Sequence, residues 1–239
     1  MKQGEYLLNL KILSFIAVLI GFFLLNTAPI NAQTAPQFLV SWKAVNFVPS
    51  DYSEKILPSN GSRIEISFDL IDKNKIVNLS GYEISWFVNN EVVAQKNGLK
   101  SINFTASGNN SQTVRIAISG YNDSELENSV TIPLTNPKII IDARQPVKYA
   151  LNRTELPLKN HIFEMRPFFF NVNSLSELEL KWRLNGNLIA TDPENPEFAA
   201  LDLKSEGKPK QTELNLSASA SNRSNILELA AKTINYLVR

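Results

Sequence analysis

Two stretches of this sequence share one pattern, and that pattern decides the fold. Residues 82–94 read YEISWFVNNEVVA, and residues 178–190 read LELKWRLNGNLIA. In each stretch apolar and polar residues alternate around a central tryptophan, Trp86 or Trp182, and an Asn-Asn or Asn-Gly pair follows. Strict alternation is typical of a β-strand with one buried face, and such pairs are typical of hairpin turns. The sequence therefore predicts the same Trp-bearing hairpin twice.

The surrounding sequence continues the two-residue period, and beyond residue 36 no segment shows a convincing helical period. The two tryptophans are separated by roughly 100 residues, which is the length of one sandwich domain. We therefore predict an all-β chain of two tandem immunoglobulin-like antiparallel β-sandwich domains, following an N-terminal hydrophobic signal or anchor helix. The predicted domains cover residues 37–135 and 138–239, with a short linker over 136–138.

The N-terminus has the order of an export signal. A positively charged start ends at Lys11, an apolar run covers residues 12–25, and Ala32 supplies a small residue before a cleavage point. This order predicts a secretory signal peptide over residues 1–32, because the apolar run is shorter than the roughly 20 residues that span a bilayer. An uncleaved membrane anchor over residues 7–26 stays open. Both alternatives place the remaining chain outside the cytoplasm, in the periplasm or on the cell surface.

The composition excludes several classes of site. The chain has no cysteine, so disulfides, thiolate zinc sites and thiol nucleophiles are absent. The net charge is +1 and no polybasic block occurs, so the electrostatic footprint of a nucleic-acid-binding protein is missing. An exported chain without cysteine fits a bacterial surface protein better than a eukaryotic secreted one.

The motif ISWFVNN at residues 84–90, together with its second copy, resembles the Trp-bearing strand of bacterial extracytoplasmic Ig-like and PKD-like β-sandwich repeats. The sequence departs from that group in two respects. No cysteine pair flanks the tryptophan, and the aromatic-Asp-Phe-Gly-Asp-Gly type of motif found in PKD domains is absent. The resemblance implies extracytoplasmic binding, spacing or adhesion without a reaction, and the fold does not choose among these.

The alternation also assigns the aromatic residues to faces. Trp86, Trp182 and Trp42 fall on predicted buried positions, so we expect them in the structural core. Phe87 and Phe169 fall on the opposite register and are the candidate partner-binding residues. An outward phenylalanine needs a cover, and two covers stay open here. One is the neighbouring domain or a long loop, and the other is a partner protein.

No catalytic site, metal site or cofactor is predicted. His161 is the only histidine, and no nucleophile elbow accompanies it. The acidic residues at 123–127 and 192–194 are interpreted as solvated loop acids. A calcium site at the domain junction is the alternative, and the Asp-x-Asp-x-Asp spacing that would support it is absent.

The leading interpretation is a non-catalytic, exported binding or spacer module of a bacterial cell envelope or surface assembly. Its partner would be an envelope or surface protein, or a surface polymer. It would contact the membrane only through the N-terminal segment. The last predicted strand ends at Arg239, so we expect attachment to come from the N-terminus or from a partner. Two alternatives stay open: a membrane-tethered structural stalk with an uncleaved N-terminal helix, and a glycan-directed enzyme with an unrecognised acidic site.

Overall fold

The structure is a computed structural model that describes residues 35–108, 110–145, 155–157, 160–203 and 212–238. Within these ranges the chain is built from strands, and the only helical element is a single 3₁₀ turn at Leu175–Glu177. None of the described residues forms a helix long and apolar enough to span a membrane. The predicted signal peptide or anchor over residues 1–32 lies outside the described residues.

The first half of the chain forms a two-sheet sandwich, which we call the first sandwich. Its strands are β1 (Gln37–Val45), β2 (Arg63–Asp72), β3 (Lys75–Ile76), β4 (Glu83–Val88), β5 (Glu91–Asn97), β6 (Ser101–Thr105), β7 (Ser111–Tyr121) and β8 (Ser124–Pro133). In one sheet β2 pairs with β1 along one edge and with β3 and β6 along the other. The second sheet has the order β5-β4-β7-β8. All of these pairings are antiparallel.

The second half forms another two-sheet sandwich, the second sandwich. Its strands are β9 (Lys138–Gln145), β10 (Glu155–Leu156), β11 (Asn160–Phe168), β12 (Leu178–Leu184), β13 (Asn187–Leu188), β14 (Phe198–Asp202), β15 (Thr212–Asn222) and β16 (Asn225–Val238). One sheet has the order β14-β11-β9, and the other has the order β10-β16-β15-β12-β13. The β10–β16 pairing is parallel, and the other pairings are antiparallel.

The hairpin turns follow from the residues that occupy them. Asn89 and Asn90 join β4 to β5 with φ values of 49° and 71°, and Asn185 and Gly186 join β12 to β13 with φ values of 50° and 83°. Two consecutive residues with positive φ form the tight turn that matches the twist of paired strands, and Asn and Gly tolerate this backbone best. Both Trp-bearing hairpins predicted from the sequence are confirmed.

Each sandwich encloses its own hydrophobic core. Trp86 packs with the inward residues of β2, β4, β7 and β8, and Trp182 packs with those of β9, β11, β12, β14, β15 and β16. Both tryptophans are fully buried, whereas Trp42 is partly buried and packs against the first core. The predicted fold class, all-β with two immunoglobulin-like sandwiches in tandem, is confirmed. The domain limits at 37–135 and 138–239 stay a prediction.

The two tryptophans differ in their polar contacts. The indole Nε1–H of Trp86 donates to the carbonyl oxygen of Leu99 at 2.8 Å, and the ring of Phe68 meets the indole edge-on with centroids 5.6 Å apart. The Nε1 of Trp182 is buried and has no hydrogen-bond partner among the described residues. Equivalent strands therefore hold the same side chain in unequal hydrogen-bonding environments.

Candidate functional site

The outer face of the β5-β4-β7-β8 sheet carries Phe87. Its neighbours in β4, Trp86 and Val88, point into the core, so the two-residue period directs Phe87 outward. Phe87 opposes Arg115 of β7 and Val92 of β5. Its ring is partly exposed, as the sequence pattern predicts.

Arg115 is held in place from two sides. Its guanidinium carbon lies 3.6 Å from the centroid of the Phe87 ring, which is a cation–π contact. The same guanidinium forms an ion pair with Glu127 of β8. A side chain that is already fixed loses little rotamer freedom when a partner binds. Arg115 is therefore preorganised for contact.

Strand β5 extends this surface to the edge of the sheet. A β-bulge interrupts the pairing of β4 with β5 between Trp86 and Phe87, and Val92 and Val93 of β5 are 58% and 46% exposed. Clustered exposed apolar side chains mark interaction surfaces, whereas isolated ones are ordinary. Aromatic residues and arginine are enriched at the centres of protein interfaces. We call Phe87, Val92, Val93 and Arg115 the Phe87 patch.

Phe169 lies just beyond the end of β11. Because β11 directs Phe163 and Met165 into the core, its period would direct Phe169 inward as well; the positive φ of 65° at Phe169 breaks that period, and Phe170 enters the core instead. Phe169 is only 2% exposed. The ring of Tyr52, in the loop between β1 and β2, lies 5.9 Å from that of Phe169. Phe169 does not belong to the second core, and of the two covers that the sequence left open, the structure shows a long loop of the first sandwich, so Phe169 is not exposed to a partner.

A polar network joins the same loop to the turn after β11. The side-chain Nδ2 of Asn46 lies 3.0 Å from the carbonyl oxygen of Phe169 and 3.1 Å from Oδ1 of Asn171. Backbone amides reinforce this contact, because Phe47 N–H donates to Phe170 O and Phe169 N–H donates to Phe47 O, both at 2.7 Å. Direct hydrogen bonds between the two sandwiches therefore form a junction beside the covalent linker, where Lys138 Nζ lies 5.2 Å from the centroid of the Phe169 ring.

A buried carboxylate supports the junction from the second sandwich. Glu228 of β16 accepts the backbone N–H of Asn171 through Oε1 and the Nδ2–H of Asn222 through Oε2, both at 2.6 Å. Burying a carboxylate is costly unless donors satisfy it, and here each oxygen has one. At the rim, Arg166 of β11 forms ion pairs with Asp142 of the same sandwich and Asp51 of the first. Sequence pattern gave no signal for this network, because its partners are far apart in the chain.

His161 and Asp192, the other residues considered from the sequence, are held by hydrogen bonds to neighbouring groups of the chain. His161 is fully buried, its Nε2–H donates to Pro157 O at 2.8 Å, and its ring stacks on Phe163. Asp192 accepts Asn195 Nδ2–H and the backbone N–H of Glu194, and these bonds hold the pKa of its carboxyl below the usual range. No group of three or more acidic or histidine side chains that could hold a metal ion occurs among the described residues.

Comparison with known proteins shows similarity in structure and none in sequence families. No protein-family model matches the chain, and no curated protein matches it. The chain is similar to the fibronectin(III)-like modules of CbhA from Clostridium thermocellum, with 10% identity over 84% of this chain and 94% of that one and a TM-score of 0.30. It is also similar to three N-terminal domains of the outer capsid protein Hoc of bacteriophage RB49, with 9% identity, coverage of 84% and 59%, and a TM-score of 0.41.

A third similar structure is SGBP-B of the Bacteroides ovatus mixed-linkage glucan utilization locus, solved with a mixed-linkage heptasaccharide. The identity is 11%, the coverage is 85% of this chain and 47% of that one, and the TM-score is 0.26. These values carry no argument about fold or function. The resemblance to Ig-like β-sandwich modules is supported by the two-sheet sandwiches of this structure itself, and its PKD-like part stays a prediction.

Proposed function

We propose that the chain is a non-catalytic binding and spacer module, exported to the envelope or surface of a bacterium, and that it contacts a partner protein through the Phe87 patch. The observation that carries the proposal is the partly exposed Phe87 ring, packed against Arg115 beside the exposed Val92 and Val93. This combination offers apolar area and a fixed cation to a partner. It offers no reacting group.

The composition of the patch favours a protein partner. An aromatic ring and an arginine are the residue types that most often dominate the binding energy of protein interfaces. The patch also lies at an edge strand, β5, where the backbone can pair with a strand of another chain. Side-chain contact and strand addition are therefore available on one surface.

The junction supports the spacer part of the proposal. Hydrogen bonds from Asn46 and Phe47 to residues 169–171 hold the two sandwiches together beside the linker, in addition to the chain itself. Contacts of this kind limit the relative motion that a short linker alone would permit. The proposed location outside the cytoplasm comes from the export signal predicted over residues 1–32.

The proposal is tested by capturing the partner with and without the patch. We expect Phe87→Ser, in the full chain, to abolish chemical crosslinking to one dominant envelope protein in cells of the source bacterium. The variant should unfold at nearly the wild-type temperature, because an exposed cation–π contact contributes only about 0.5–1 kcal/mol.

Leu39→Ser is the matched control. Leu39 is 62% exposed on β1, in the other sheet of the same sandwich, so its replacement removes a similar exposed apolar group outside the patch. The control should crosslink like the wild type. Unchanged crosslinking by Phe87→Ser would contradict a contact through the patch, and a large loss of thermal stability would show that Phe87 is a structural residue.

A further inference from the structure

A hollow of about 520 Å³ lies on the outer face of the β14-β11-β9 sheet, beside the loop that joins β13 to β14. Its apolar base consists of Ile162 of β11 with Phe198 and Ala200 of β14. Phe198 and Ala200 point outward because they alternate with the buried Ala199 and Leu201. We call this depression the Phe198 hollow, and none of the Phe87 patch residues lines it.

The loop beside the hollow is fixed by consecutive turns. Asp192 accepts the side chain of Asn195 at 2.9 Å, and the backbone N–H of Asn195 returns to Asp192 O at 3.1 Å. The next turn bonds Phe198 N–H to Asn195 O at 3.1 Å, and Met165 N–H of β11 donates to Glu197 O at 2.8 Å. The walls are therefore held in place before any ligand arrives, which is the usual state of small-molecule sites.

The rim of the hollow is polar. Arg144, Asp192 and Asn195 contribute a cation, an anion and an amide. Glu164 engages Nε and one terminal nitrogen of Arg144, so the guanidinium keeps further N–H groups for another acceptor. Each oxygen of Asp192 accepts one hydrogen bond within the loop, and a carboxylate oxygen can accept two. The rim can therefore both donate and accept hydrogen bonds.

We propose that the Phe198 hollow binds a sugar ring of a neutral polysaccharide. The C–H face of a pyranose ring fits the apolar base of the hollow. The hydroxyl groups around the edge of the sugar both donate and accept hydrogen bonds, so they match the polar rim of the hollow. An anionic ligand would face Asp192 and an arginine already neutralised by Glu164. A purely apolar ligand would desolvate the charged rim without replacing its hydrogen bonds. This site goes beyond the proposed protein contact and is independent of it.

The test is affinity electrophoresis of the full chain in native gels. Separate gels contain mixed-linkage β-glucan, arabinoxylan, galactomannan, dextran or starch, and one contains anionic polygalacturonate. We expect retardation by at least one neutral polymer and none by polygalacturonate. Phe198→Leu keeps the apolar volume and removes the aromatic face, so it should weaken the retardation about tenfold in apparent affinity.

The decisive variant is Ala200→Arg, which fills the hollow from an exposed position on β14 and should abolish the retardation. Ala231→Arg is the matched control, because it makes the same change at an exposed position of β16 in the other sheet and should leave the retardation intact. Retardation of Ala200→Arg at the wild-type level would overturn the site. So would the failure of every neutral polymer, or retardation by polygalacturonate alone. Phe87→Ser should not alter this assay, so the outcomes of the two proposals are separable.

Discussion

The two buried tryptophans form a matched pair that measures the contribution of one indole hydrogen bond. Trp86 and Trp182 are both fully buried on equivalent strands, but only the indole N–H of Trp86 has a partner among the described residues, Leu99 O at 2.8 Å. Replacing each tryptophan by phenylalanine removes the N–H and part of the ring and keeps an aromatic side chain in the core. The two substitutions therefore differ mainly in the hydrogen bond that is lost.

The expected magnitudes follow from separate contributions. The lost ring volume costs about 1–2 kcal/mol at either position, within the range for shortened core side chains. At Trp86 the lost hydrogen bond and the unpaired Leu99 carbonyl add about 1–2 kcal/mol. At Trp182 the substitution removes a buried donor whose lack of a partner itself costs about 1–2 kcal/mol, so the two effects oppose each other. We expect Trp86→Phe to lose about 2–4 kcal/mol and Trp182→Phe to change stability by less than about 1 kcal/mol.

The assay must read the two sandwiches separately. Hydrogen exchange measured by mass spectrometry in increasing urea gives an opening free energy for peptides of β4 and of β12 in the same sample. Trp86→Phe should lower the opening free energy of the β4 peptides. The opening free energy of the β12 peptides should stay unchanged and serve as the internal reference. Equal losses for the two substitutions, or a larger loss for Trp182→Phe, would refute the reasoning from the indole hydrogen bond.

Two further predictions concern a close approach of the backbone and a tyrosine proton. Gly98 has φ +69°, and an added Cβ would lie 3.2 Å from the backbone Cα of Ser80, whereas Gly120 has φ +74° and nothing within 4 Å of such a Cβ. Gly98→Ala should therefore cost about 2–3 kcal/mol and Gly120→Ala only about 1 kcal/mol in thermal unfolding, and equal costs would contradict the steric reading. The hydroxyl of Tyr121 donates to Asp72 Oδ2 at 2.7 Å, and this bond, aided by burial, raises the pKa of Tyr121 to about 12 from the ordinary 10.0. Because the folded chain retains this proton more strongly, the free energy of unfolding should fall as the pH rises from about 10 to about 12, and urea titrations should show a shallower fall for Tyr121→Phe.

The fold was predictable because its determinants are local. Alternation around Trp86 and Trp182 identifies strands with one buried face, and the Asn-Asn and Asn-Gly pairs identify the turns that follow. The outward direction of Phe87 follows from the same period. Each of these features involves residues that are close together in the chain, so no knowledge of the tertiary structure is needed.

The junction and the Phe198 hollow were not predictable, because they depend on contacts between distant segments. Asn46 and Asn171 meet through their side chains although 125 positions separate them, and no local pattern signals such a pair. Phe169 lies outside the second core beneath Tyr52, and the sequence left its cover open because that loop belongs to a distant segment of the chain. The hollow arises where a turn beginning at Asp192 lies beside β14, and the sequence shows these acids only as a polar loop.

The hydrogen bonds between the two sandwiches have a mechanical consequence. Two domains joined by only one stretch of backbone can rotate about it with little resistance. The paired hydrogen bonds between Phe47 and residues 169–170 lie beside the linker, and rotation of one sandwich against the other would strain them. Tension along the chain is carried by covalent bonds, whereas these hydrogen bonds resist torque.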